Sequence, residues 1–115
     1  MHVGCDIIAI SRIEKIYARH GKNFLDKFLN AQEQMLVKSP ATLAGLWAAK
    51  EAASKALGLG ICELCTFFDI EISKDHRNAP KLKYSQKIIN NFNITQTSLS
   101  ISHDNGFAMA IVTIV

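Results

Sequence analysis

Trp47-Ala48-Ala49-Lys50-Glu51-Ala52-Ala53-Ser54-Lys55-Ala56-Leu57-Gly58-Leu59-Gly60 strings together good helix formers and then stops on two glycines. The pattern predicts the last turns of a long helix spanning residues 39–57. Ser39-Pro40 supplies its start, serine as N-cap and proline at the first helical position. Gly58 supplies its end, as a C-terminal cap with positive φ. Glu51 and Lys55 stand one helical turn apart and share a side. Alanines surround them, so a ligand has room to approach, and a magnesium-bound polyphosphate suits such a setting.

Working outward, residues 3–10 are apolar and β-branched and predict a buried strand. Asp6 interrupts that run, and an unpaired carboxylate is expensive to bury without a metal ion or a cationic partner. Ser11 with Glu14 reads as a capping box opening a helix that gathers Ile13, Ile16 and Tyr17 on one face. Gly21 breaks it, and residues 23–37 predict a second helix. Past the central helix, residues 67–72 predict a half-buried strand, 75–78 a polar turn and 80–84 the hairpin return. Residues 85–91 fit a short helix. Residues 97–102 and 107–115 predict the last two strands, joined through Asp104-Asn105-Gly106. The apolar end, Ala110 to Val115, needs cover from the chain's own helices or from a neighbour.

At 115 residues the chain predicts one domain, 1–115, with no repeat or linker. Its net charge of +3 is too mild to argue for nucleic acid. No apolar run is long enough for a membrane span, and the first residues lack the charged region, apolar segment and cleavage site of an export signal, so export is not expected. An odd set of three cysteines (Cys5, Cys62, Cys65) fits a reducing cytoplasm. Cys5 is expected in the core. Cys62-Glu63-Leu64-Cys65 lacks the second pair that a zinc site needs, and reads as two ordinary thiols.

Several residues admit both a chemical and a plain reading. Asp6 and Glu51 suit magnesium, which takes hard oxygen ligands and keeps waters; the plain reading has Asp6 capping a turn and Glu51 pairing with Lys55. Lys55 is either a solvated helix lysine or a phosphate contact. Lys50 points elsewhere, since adjacent helix residues diverge. Gly58 and Gly60 are first a helix stop; they follow the helix, which excludes a phosphate loop of the P-loop or Rossmann kind. Ser102-His103-Asp104 cannot form a hydrolase triad, because neighbours on a strand face opposite ways. The basic residues Arg12, Lys15, Arg19, Lys22, Lys27 and Lys38 cluster in the first third of the chain. On a helix such charges ordinarily form a solvated face.

Gly4-Cys5-Asp6, Ala48-Ala49-Lys50-Glu51-Ala52-Ala53-Ser54-Lys55-Ala56-Leu57-Gly58-Leu59-Gly60 and Ser100-Ile101-Ser102-His103 occur here in that order. Together they resemble the holo-acyl-carrier-protein synthase family of phosphopantetheinyl transferases, over nearly the whole chain. The resemblance implies an α+β fold, with an antiparallel sheet and a long central helix, assembled as a homotrimer with active sites between subunits. It implies transfer of 4′-phosphopantetheine from coenzyme A to a serine of apo-acyl carrier protein, releasing 3′,5′-ADP, in support of fatty acid biosynthesis. By resemblance, Asp6 and Glu51 bind magnesium, with Glu51 also the candidate base. Lys55 contacts the coenzyme A pyrophosphate, with Gly58, Gly60 and His103 near the same substrate. Arg12, Arg19, Lys22 and Lys27 would dock the acidic helix of acyl carrier protein. Leu46-Trp47 stands where Arg-Phe is typical, Leu59 where threonine is, and Asp104 where threonine or lysine is common. A small nucleotide- or RNA-binding module without catalysis is the competing reading. The mild net charge speaks against it.

Overall fold

Period-two alternation in the first strand places Gly4 and Ile8 inward and Val3, Cys5 and Ile7 outward. In the computed structural model, which describes residues 1–115 throughout, this strand is β1 (His2–Ala9). It runs into α1 (Ile10–His20), α2 (Lys22–Phe28), α3 (Ala31–Gln34) and the long α4 (Pro40–Ala56). A hairpin of β2 (Ile70–Lys74) and β3 (Pro80–Tyr84) follows, then α5 (Gln86–Phe92), β4 (Thr97–Asp104) and β5 (Phe107–Ile114). β5 is the middle strand of an antiparallel sheet ordered β1-β5-β4, and β2-β3 form a separate antiparallel pair. The fold is α+β, with α4 lying across the inner face of the sheet.

That arrangement covers one face of the apolar C-terminal strand. Ala108, Ala110, Val112 and Ile114 are buried beneath α4, while Met109 and Ile111 remain exposed beside Val3 and Ile7. The β4–β5 turn has Asn105 at φ 50° and Gly106 at φ 85°, the paired positive values that suit a tight hairpin.

α4 has the boundaries its caps dictate. Ser39 Oγ accepts from Thr42 N at 3.2 Å, and Thr42 Oγ1 accepts in return from Ser39 N at 2.9 Å. Leu57 closes the helix and Gly58 follows at φ 78°. Elsewhere the structure corrects the expectations. β1 is one-sided, which puts Cys5 on the exposed face and not in the core. Ser11 does not cap α1. The helix starts at Ile10, two residues earlier than a Ser11 cap would place it, and that first amide, Ile10 N, donates to Gly106 O at 2.8 Å across the neighbouring turn. The helix expected over 23–37 is two helices, because Asn30 and Glu33 form a capping box that restarts the chain after Leu29. Residues 67–69 form a 3-10 turn before β2, held by Asp69 Oδ2, which accepts from Thr66 N at 2.9 Å.

Lys50 is wholly buried, with no solvent contact. Its ammonium donates to Glu33 Oε1 at 2.9 Å, Phe28 O at 2.6 Å and Phe67 O at 3.0 Å. Glu33 Oε2 accepts from Ile72 N at 2.8 Å. One ion pair thus ties α2, α3, α4, the 3-10 turn and β2 together, behind packed rings of Phe24, Phe28, Trp47 and Phe67. Burial pushes the Lys50 ammonium down, against the pull of Glu33.

Candidate active site

Asp6 follows Gly4 on the inner row of β1, opposite Ala110 of β5. Its side chain meets α4 one turn beyond Glu51. There Lys55 Nζ donates to Asp6 Oδ1 at 2.9 Å, with the carboxylate 15% and the lysine 48% exposed. Lys55 is thus bonded across the strand–helix gap to Asp6, and the plain reading of a Glu51–Lys55 helix pair is not realised. The bond to Asp6, chiefly, raises the Lys55 ammonium above its ordinary value.

Glu51 is half-buried beside this pair, and its carboxyl is raised, first by burial and then by the negative charge of Asp6. Lys55 and Arg12 pull it back the other way. Arg12 was expected only on a docking face; its charge also reaches the site. Two carboxylates that repel one another, with a single lysine answering one of them, present hard oxygen donors to a divalent cation. No group of three or more ligating side chains forms in the chain. Magnesium needs no such cage, since one or two carboxylates suffice when waters and substrate phosphates complete the shell. The donor set fits that ion.

The raised Glu51 carboxyl has a consequence for stability. Folding favours its protonated form, a contribution complete below the ordinary carboxylate range and lost as pH rises through the raised value. Glu51→Gln is therefore expected to raise Tm in metal-free buffer at pH 7, with the difference vanishing below about pH 4. Thermal unfolding followed by circular dichroism at both pH values checks this; a lower Tm at pH 7 would contradict it.

Gly58 and Gly60 lie where the chain leaves α4. Leu59 N and Gly60 N donate back to Ser54 O at 3.3 and 3.2 Å, and Gly60 takes φ 75°. Lys55 and Gly58 share a groove of about 290 Å³ walled by Val3, Leu57, Phe92 and Ile114. Gly60 sits in the turn beyond it.

His103 is not brought to the carboxylates within one chain. It continues the inner row of β4 past Ile101, and β4 and β1 are the two outer strands of the sheet. Their backbones lie two strand spacings apart, roughly 10 Å. His103 instead lines a cleft of about 270 Å³ with Thr42, Leu46, Lys74, Pro80 and Ile101. Leu46 forms part of its wall, and Lys74 supplies a positive charge there that no motif in the sequence announced. Ser102 and Asp104 occupy the opposite row, facing Met109 and Phe107, so no triad assembles. Arg12, Arg19, Lys22 and Lys27 are exposed on α1 and α2, although Lys22 is paired with Asp26 at 2.9 Å. Cys62 and Cys65 are free thiols, the second buried and pushed up to about 11 mainly by that burial.

Known proteins resemble this chain along its length. Residues 2–112 match the family model of the 4′-phosphopantetheinyl transferase superfamily. A holo-[acyl-carrier-protein] synthase of Campylobacter jejuni is 85% identical over 115 residues, covering 100% of both chains. The crystal structure of Helicobacter pylori holo-[acyl-carrier-protein] synthase in complex with coenzyme A superimposes with a TM-score of 0.95 at 45% identity, over 98% of this chain and 99% of that one. A synthase from Bacillus anthracis, solved with coenzyme A (3′,5′-ADP), gives 0.82 at 36% identity, over 98% and 94%. A family match spanning nearly every residue, with Asp6, Glu51 and Lys55 gathered on one strand–helix seam, leads to a single conclusion: the chain belongs to the 4′-phosphopantetheinyl transferase superfamily.

Proposed function

We propose that this protein is a holo-acyl-carrier-protein synthase, transferring 4′-phosphopantetheine from coenzyme A to a serine hydroxyl of apo-acyl carrier protein and releasing 3′,5′-ADP. The observation that carries the reading is the meeting of Asp6, Glu51 and Lys55, from distant parts of the sequence, in a family that performs this transfer. Asp6 and Glu51 would hold a magnesium ion, which when bound supplies Lewis-acid neutralisation of the diphosphate oxygens. Glu51 is the candidate to take the serine proton, directly or through a water. The serine oxygen then bonds to the pantetheine-side phosphorus as the bond to the nucleotide-side phosphate breaks. Lys55 donates to the departing phosphate, where its charge counters the one that develops.

The basic row Arg12, Arg19, Lys22 and Lys27 steers the acidic carrier protein, an attraction that weakens with salt. His103 with Lys74 receives anionic groups of the coenzyme A nucleotide. Two features support a homotrimer: the uncovered apolar sheet face, and the separation of His103 from the carboxylates, which a neighbouring copy can bridge. No helix is long and apolar enough to cross a membrane, and free thiols suit a cytoplasmic setting.

Incubation with apo-acyl carrier protein, coenzyme A and magnesium, followed by intact-mass spectrometry, tests the proposal. One phosphopantetheine adduct per carrier is expected, abolished by chelator and restored by added magnesium. Absence of adduct with a competent carrier would overturn it, and transfer undiminished by chelator would remove the metal from the account.

A further inference from the structure

Gly4 has an ordinary backbone conformation, since it is not among the residues with positive φ. Its glycine identity is therefore not required by a turn. Space requires it. A Cβ built on Gly4 would collide with the carbonyl oxygen of Ala52 and the amide nitrogen of Ala56, and would lie 3.0 Å from Ala56 Cα. All three are main-chain atoms in the last turns of α4, held by the helix's own hydrogen bonds, and cannot swing aside as a flexible side chain would. The backbone of β1 therefore rests directly on the backbone of α4 at this point.

Asp6 is the next residue on the same row of β1, and Lys55 directly precedes Ala56 on α4. The seam that Gly4 closes is thus the seam that the Asp6–Lys55 bond crosses. An aspartate has one methylene with which to span it, and the bond already measures 2.9 Å. Moving the strand off the helix by roughly 1 Å, enough to admit a methyl group, would take that contact beyond hydrogen-bonding range. It would equally draw the Asp6 carboxylate away from Glu51, which stands one turn before Lys55 on α4.

We propose that Gly4 is a positioning residue: its missing side chain sets the β1–α4 separation at which the short carboxylate of Asp6 meets Glu51 and Lys55. This rests on the reading of Asp6 and Glu51 as a shared cation site. Gly4 touches no reacting atom and acts through the strand. The separation and the carboxylate length form a matched pair, so lengthening one should compensate for lengthening the other.

The test uses the full chain as Gly4→Ala, Asp6→Glu and the double variant, with Mn2+ affinity measured by electron paramagnetic resonance in the presence of coenzyme A. Each single variant is expected to weaken Mn2+ binding by about 10–100-fold, and the double variant to regain most of that loss. A purely structural role would leave the double variant no better than Gly4→Ala. Wild-type affinity in folded Gly4→Ala, or no recovery in the double variant, overturns the proposal. Should Gly4→Ala fail to fold, Asp6→Glu alone decides: undiminished binding says the gap is not tuned to aspartate. Should the wild-type chain bind no Mn2+, the cation reading fails, and the spacing is read from the 15N resonance of the Lys55 ammonium. Loss of its hydrogen-bonded signature in Gly4→Ala supports the role of Gly4, and an unchanged signal refutes it.

Discussion

Glu33→Ala is expected to destabilise the fold by about 3–5 kcal/mol, because it leaves the Lys50 ammonium buried without its counter-ion. The effect exceeds that of an ordinary surface ion pair because both side chains are sealed from solvent, at 0% and 1% exposure. Glu33 also accepts from Asn30 N at 2.8 Å and Ile72 N at 2.8 Å, so its removal orphans the buried Ile72 amide and the part-buried Asn30 amide besides. Burial has already pushed Lys50 down, and loss of Glu33 would push it further toward the neutral amine. The paired replacement Glu33→Leu with Lys50→Met removes both charges and should recover much of the loss, though the two amides remain unpartnered. Urea denaturation of the three proteins measures this. A change below about 1 kcal/mol in Glu33→Ala would mean that water reaches Lys50.

How far the sequence disclosed this architecture varies with the range of the interactions involved. The boundaries of α4 were legible because Ser39, Pro40 and Gly58 act within one turn of themselves. The β2–β3 and β4–β5 hairpins were legible from turn residues and alternation, although the 3-10 turn before β2 was not. The start of α1 was illegible, since the group that satisfies Ile10 N belongs to Gly106, at the other end of the chain. The break at Leu29 was masked by apolar residues that continue at helical spacing on both sides. Its signal, Asn30 followed by Glu33, was present but was submerged in that periodicity. Cys5 was misplaced because an apolar β-branched run does not say which of its two rows faces the helix; Gly4 and Asp6 settle that row only once α4 is seen against them.

The site divides in the same way. Asp6, Glu51 and Lys55 were singled out by the family resemblance, since spacing alone favoured the plain reading, and the partner of Lys55 was not foreseen, because a contact across 49 residues leaves no local trace. Arg12 and Lys74 were missed as contributors for the same reason. His103 was expected near the substrate, and its own cleft with Lys74 and Thr42 is visible only in three dimensions.

The second large effect concerns chemistry. Glu51→Gln keeps the volume of the side chain but removes both the proposed metal-ligating charge and the proposed base, and is expected to lower kcat by roughly 10²–10⁴-fold. Asp6→Asn should act chiefly by weakening metal binding, so that raised magnesium restores part of its rate. Glu51→Gln should not be restored this way, because added cation cannot replace a proton acceptor. Rates of carrier modification across a magnesium titration separate the two. Equal rescue of both variants would assign Glu51 to the metal alone.

The most direct measurement is anomalous scattering from crystals grown with Mn2+ and coenzyme A. One peak is predicted, with an oxygen of Asp6 and an oxygen of Glu51 both within roughly 2.0–2.3 Å of it and the remaining positions filled by phosphate and water. A peak bonded to neither carboxylate, or to one alone with the other turned away, would contradict the account.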